Sequence, residues 1–159
     1  MAVGPDKRAA IAQYLGKLER LCDRGFALAV HIRYTRPTLL YQTYSQVWVD
    51  HYSTKGYMLT DPTVIWGLEH IGCVSWSDLN AQDPAGVFKD ALTFGLTNGF
   101  TYSTGPAASR TISSAAKSGA DFTVEEMGEF CRIVDAIHEE TDGFETLPAA
   151  EQDALRKLT

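Results

Sequence analysis

The chain has 159 residues, 45% of them hydrophobic and 21% charged, which is the makeup of one ordinary globular domain with a single sizeable core. A formal charge of -6 and the lack of any basic cluster disfavour nucleic-acid binding by these residues themselves. Cys22, Cys73 and Cys131 are dispersed and form no C-x-x-C pair, which argues against a disulfide framework and a zinc site, and without a signal sequence or a membrane-length apolar run the expectation is a cytoplasmic protein with no membrane or metal partner.

Along the chain, Ile11, Leu15, Leu18 and Leu21 recur at spacings of three and four, predicting an amphipathic helix that ends near Gly25. From Phe26 the period becomes two. That predicts a strand with Phe26, Leu28, Val30, Ile32 and Tyr34 on one side and a structural His31 on the other. Arg36-Pro37 should break the chain, and residues 38–44 then read as a second, antiparallel strand.

A helix over residues 45–54 would place Tyr44, Trp48 and Tyr52 at successive i, i+4 positions, on one narrow stripe. Each ring carries a polar tip on an apolar body, so the stripe can line a cavity and donate hydrogen bonds into it. Lys55-Gly56 ends this helix, and Asp61 as N-cap with Pro62 at N1 starts another that runs to Leu68 or His70. Periodicity alone also admits a plainer reading, in which the stripe is ordinary core and Asp61 only a cap.

A short strand is expected near Val74. Asp83-Pro84 then repeats the Asp-Pro pairing before Val87-Phe88, Ala91-Leu92 and Gly95-Leu96, where capping alone accounts for it. Residues 100–104 and 110–116 predict a hairpin around Gly105-Pro106, with Thr111 and Ser113 on one face. Thr123 and Glu126 make a capping box, Phe122 and Met127 a staple around it, and Phe130, Ile133, Val134 and Ile137 the apolar face of a last long helix. Antiparallel strand pairs with helices between them predict an α/β fold, an α/β/α sandwich with a central antiparallel sheet of about five strands.

The set Tyr44, Trp48, Tyr52, Asp61-Pro62-Thr63 and Trp76 resembles the ligand-binding domain of the LuxR family, the quorum-sensing regulators that bind N-acyl-homoserine lactones. The resemblance covers roughly residues 5–143 and implies a PAS/GAF-like domain. It further implies that Trp48 donates to the lactone carbonyl, Asp61 accepts from the ligand amide, Tyr44 bonds the acyl carbonyl, and Tyr52 and Trp76 wall the pocket. Thr63 and Ser113 would add polar contacts, while Thr101, Phe88, Ala91 and Leu96 would border the acyl chain. The ligand's chemistry agrees: an apolar tail with two carbonyls, an amide N–H and a ring ester needs one acceptor and two or three donors in an apolar wall. Ser45 and Cys73 stand where many relatives have proline.

By the same resemblance, residues 1–143 form the autoinducer-binding domain and residues 144–159 a linker and the start of a helix-turn-helix DNA-binding domain that is otherwise missing, with Leu155 and Leu158 exposed on a tail helix. The implied partners are the lactone as signal ligand, a second copy in a homodimer, and DNA only through that absent domain; no other cofactor is implied. The alternatives are a naturally shortened homologue acting as a dominant-negative inhibitor and an orphan sensor of a non-lactone ligand. No enzyme is expected: there is no G-x-S-x-G, and His31, His51, His70 and His138 show no ligand spacing.

Overall fold

A computed structural model describes residues 5–159, with side chains from Lys7 onward. Helix α1 (Pro5–Leu21) buries Ile11, Leu15 and Leu18 and leads into strand β1 (Phe26–Arg33). β1 pairs antiparallel with β2 (Arg36–Gln42). The turn falls at Tyr34-Thr35, just before the expected break. Pro37 lies within β2 opposite Ile32, which is tolerated because β2 is an edge strand.

Helix α2 (Gln46–Lys55) is capped by Ser45, whose hydroxyl accepts from the Trp48 amide, and is stopped by Gly56 at φ 64°. A 3₁₀ turn (Tyr57–Leu59) precedes α3 (Pro62–Glu69), β3 (Gly72–Ser75), α4 (Trp76–Leu79) and α5 (Val87–Thr93). Here the second Asp-Pro pair acts at longer range, because the Asp83 carboxylate accepts from the Val87 and Phe88 amides at the start of α5. The hairpin β4 (Asn98–Thr104) and β5 (Arg110–Lys117) follows, then α6 (Val124–Glu140) behind its capping box, and α7 (Ala149–Arg156).

The strands lie in the order β2-β1-β5-β4-β3, every neighbouring pair antiparallel. One face presents Phe26, Leu28, Val30, Tyr41 and Phe100 to α1 and α6, and edge-to-face contacts of Phe100 with Phe122 and Phe130 tie the sheet to α6. The other face, covered by α2, α3 and α5, presents Ala27, Ala29, Ser114 and Ala116. This is the α/β/α sandwich expected from the strand pairing.

Two expectations fail for local reasons. The register of β1 against β5 shifts between Ala29 and Ile32, and His31 takes φ 47°, so a bulge inserts one extra residue and reverses the alternation. Ile32 therefore turns to the face opposite Val30, and Tyr34 stands 98% exposed in the turn. His31 itself is buried. One ring nitrogen donates to the His138 carbonyl at 2.8 Å, and the other lies within hydrogen-bond distance of the Ser109 hydroxyl at 2.6 Å.

The second concerns the tail. Leu155 is buried, 1% exposed, and with Phe144 it joins the core beneath α1 and α6; the Tyr41 hydroxyl donates to the Leu155 carbonyl at 2.8 Å. An amphipathic helix of only two turns gains its stability from such packing rather than from propensity, which the sequence of the tail alone did not reveal.

Candidate ligand-binding site

Between the small-residue face of the sheet and helices α2, α3 and α5 lies a cavity of about 740 Å³, within the usual range for small-molecule sites. Its floor is Ala27 and Ala29 of β1 with Ile112 and Ser114 of β5. Among its lining residues, Leu40 of β2 and Leu59 of the 3₁₀ turn are 49% and 78% exposed.

Tyr44 sits just before the N-cap of α2, and Trp48 and Tyr52 lie on the helix with ring centroids 5.8 Å apart. All three line the cavity. Gly25 allows this entry: at φ 100°, its position has the Tyr44 backbone within 2.9 Å of where a Cβ would stand. The Tyr44 hydroxyl is buried without a hydrogen-bond partner, and among the described residues nothing accepts from the Trp48 indole N–H. Behind Trp48, Asp90 of α5 accepts from Tyr57 at 2.7 Å and is bonded to His51, a carboxylate partner for a histidine that the sequence reading left unpaired.

Asp61 caps α3 and also lines the cavity. As N-cap of α3, its Oδ1 accepts from the Thr63 amide at 2.9 Å and the Thr63 hydroxyl at 2.8 Å. Its Oδ2 takes the Tyr52 hydroxyl at 2.7 Å and keeps a free lone pair, and the carboxylate lines the cavity. Desolvation raises the Asp61 pKa, against the lowering effect of the Tyr52 and Thr63 bonds. Burial likewise pushes the phenols of Tyr44 and Tyr52 upward, so both remain donors at neutral pH.

Trp76, at the start of α4, lies against β4 where Gly99 has no side chain; a Cβ there would come within 2.3 Å of the indole ring. Its N–H is spent on the Thr101 hydroxyl at 3.1 Å, which in turn meets the Ser114 hydroxyl at 2.7 Å. Trp76 thus contributes a wall, packed against Phe88 at 5.7 Å.

The cavity gathers Tyr44, Trp48, Tyr52, Asp61, Thr63, Trp76, Phe88, Ala91 and Leu96. Two expected residues stand elsewhere. Thr101 lies behind Trp76 as its acceptor. Ser113 faces the opposite side of the sheet and donates to the Tyr102 carbonyl; the serine that lines the cavity is its neighbour Ser114, since adjacent strand residues point to opposite faces. The Ala27-Ala29 floor went unread, although the alternation Phe26-Ala27-Leu28-Ala29-Val30 carries the signal. Among the described residues no group of three or more metal-binding side chains occurs, and no helix is long and apolar enough to cross a membrane.

Residues 19–140 match the family described as the autoinducer binding domain. Over 99 residues the chain is 32% identical to RhlR, an HTH-type quorum-sensing regulator of Pseudomonas aeruginosa, a match that spans 60% of this chain and 41% of that protein. The chain thus represents less than half of that relative's length. Among solved structures, it is similar to CepR2 of Burkholderia cenocepacia, described as an N-acylhomoserine lactone dependent LuxR family transcription factor (TM-score 0.64, 16% identity, 90% of this chain and 87% of that one). It is similar also to Escherichia coli SdiA in complex with octanoyl-rac-glycerol (TM-score 0.60, 21% identity, 91% of this chain and 62% of that one).

Proposed function

This chain belongs to the autoinducer-binding domain family of LuxR-type regulators, and from that premise we propose that it binds an N-acyl-homoserine lactone in the cavity under α2 and α3. The observation that carries the reading is the unpaired Tyr44 hydroxyl beside a free Asp61 lone pair in an otherwise apolar hollow. A lactone headgroup supplies what these groups lack. Its amide N–H donates to Asp61, and its carbonyls accept from Tyr44 and the Trp48 indole, while Tyr52 and Thr63 hold the Asp61 carboxylate in place. The acyl tail lies over Ala27 and Ala29, beside Phe88, Ala91 and Leu96.

The ligand-free domain in this reading carries a hollow core and a desolvated carboxylate, both of which the ligand relieves, so binding stiffens the fold. Ligand at 100 times its dissociation constant adds about 2.7 kcal/mol to stability. A thermal melt against short-, medium- and long-chain lactones tests this. A midpoint that rises with chain length is the expected result, and one that stays fixed across the series contradicts the proposal. Ligand-dependent dimerisation, and control of DNA through a further domain, belong to the same reading. It follows the naming of RhlR as an HTH-type regulator and is tested by sedimentation with and without lactone.

A non-lactone signal is the second reading, favoured by one observation: a protein of similar fold has been solved with an acylglycerol. A glycerol hydroxyl would then take the place of the amide N–H at Asp61. Mass spectrometry of the small molecule that co-purifies with the protein separates the two.

A further inference from the structure

Cys73 and Cys131 stand 58 positions apart in the chain, yet their Sγ atoms are 3.1 Å apart. Cys73 lies on β3 opposite Tyr102 of β4, and the Tyr102 hydroxyl donates to Asp135 of α6 at 2.8 Å, so this end of the sheet is already held to the helix that carries Cys131. Cys73 is exposed and Cys131 half-buried, within reach of a small oxidant. The third thiol provides the contrast. Cys22 is 2% exposed, its thiol donates to the Leu18 carbonyl at 2.9 Å, and burial pushes its pKa up to about 12.

We propose that Cys73 and Cys131 are a peroxide-responsive pair that closes reversibly into an intramolecular disulfide, stapling β3 to α6. The chemistry uses hydrogen peroxide as oxidant. The Cys73 thiolate attacks one peroxide oxygen, the O–O bond breaks, and the departing hydroxide takes the thiol's proton to leave as water, with Cys73 now a sulfenic acid. Cys131 sulfur then attacks Cys73 sulfur and the S–S bond forms. The sulfenic oxygen leaves as a second water with the Cys131 proton, so two thiols lose two electrons to one peroxide. Exposure suits this order, since Cys73 is the more open of the two thiols and meets the oxidant first; the hydrogen bond it shares with Cys131 also lowers its pKa, while that bond and burial raise that of Cys131.

The consequence falls on a weakly held element. β3 has four residues, is an edge strand bonded only to β4, and leads directly into Trp76. A covalent link there closes a long loop and restricts the unfolded chain, raising the melting temperature by on the order of 10 °C.

The test oxidises the full chain with near-stoichiometric hydrogen peroxide. The expected result is loss of the mass of two hydrogen atoms, a fall from three titratable thiols to one in denaturant, a mapped Cys73–Cys131 peptide link and a higher melting temperature, all reversed by dithiothreitol. Cys22→Ser retains the response; Cys73→Ser and Cys131→Ser each lose it. An unchanged mass, oxygen added to Cys73 without a cross-link, a disulfide joining two chains, or a cross-link that leaves the melting temperature where it was would each overturn the proposal. None of these readouts depends on the identity of the ligand.

Discussion

The face of the sheet under α1 and α6 and the face under α2, α3 and α5 are built from the same strands, yet the first is filled and the second is hollow. Along β1 the alternation is large against small: Phe26, Leu28 and Val30 go one way, Ala27 and Ala29 the other. Because a strand assigns successive side chains to opposite faces, the same stretch sets a close-packed core and a cavity floor at once. Stability and binding are therefore carried by different atoms, and substitutions on the two faces should separate them.

The largest expected effect is on the filled face. Phe100 and Phe130 are 2% and 0% exposed, and truncation of either to alanine should destabilise by about 3–5 kcal/mol, lowering the midpoint of a thermal melt by roughly 10 °C. Ala29→Leu on the hollow face should do the reverse. It adds volume where there is space, so the ligand-free protein melts at or above the parent temperature and no longer responds to lactone. If Ala29→Leu were as disruptive as Phe100→Ala, the contrast between the faces would be lost.

Next in size is Asp61→Asn. The amide oxygen of asparagine can still accept from the Thr63 amide and hydroxyl, and its NH₂ can donate to the Tyr52 oxygen, so the cap of α3 survives. What disappears is the charged acceptor offered to a ligand N–H, a loss of about 1.5–3 kcal/mol in affinity by titration calorimetry. A parallel fall in ligand-free stability would mean that Asp61 serves α3 alone. Tyr44→Phe should be milder, about 0.5–1.5 kcal/mol in affinity. Because the hydroxyl it removes is already unpartnered, the ligand-free melt should not fall.

The helix periods, the Ser45–Gly56 limits of α2, the capping box of α6 and the polar stripe were legible in the sequence, because each depends on residues within one or two turns of one another. The bulge at His31 was not, since it exists only in the register of β1 against β5, whose residues lie some eighty positions downstream. That Ser114 rather than Ser113 faces the hollow was hidden for a related reason: composition marks the strand, but only its pairing decides which hydroxyl points to which side. The approach of Cys73 to Cys131 belongs to the same class, being a contact between an edge strand and a helix on one side of a sheet whose strand order had to be known first.

Acid should reveal the two faces with opposite signs. On the filled side, burial and then the neighbouring His31, whose ring stacks at 4.2 Å, hold the His138 pKa below its ordinary value, while Asp142, Asp135 and Glu139 pull the other way. The unfolded chain thus takes up this proton first. His138 contributes stability that is complete above its unfolded pKa of about 6.5 and is lost as the pH falls through the lower, folded value. On the hollow side, Asp61 has a raised pKa, so its folded state holds the proton longer. Its contribution is complete at low pH and declines as the pH rises through the folded value, until a ligand N–H restores it. Urea melts from about pH 5 to 8 should therefore show a shallow acid-side loss that His138→Gln flattens and that lactone leaves in place. The effect is small because His138 is only half-buried, and a slope abolished by Asp61→Asn instead would assign the titration to the wrong face.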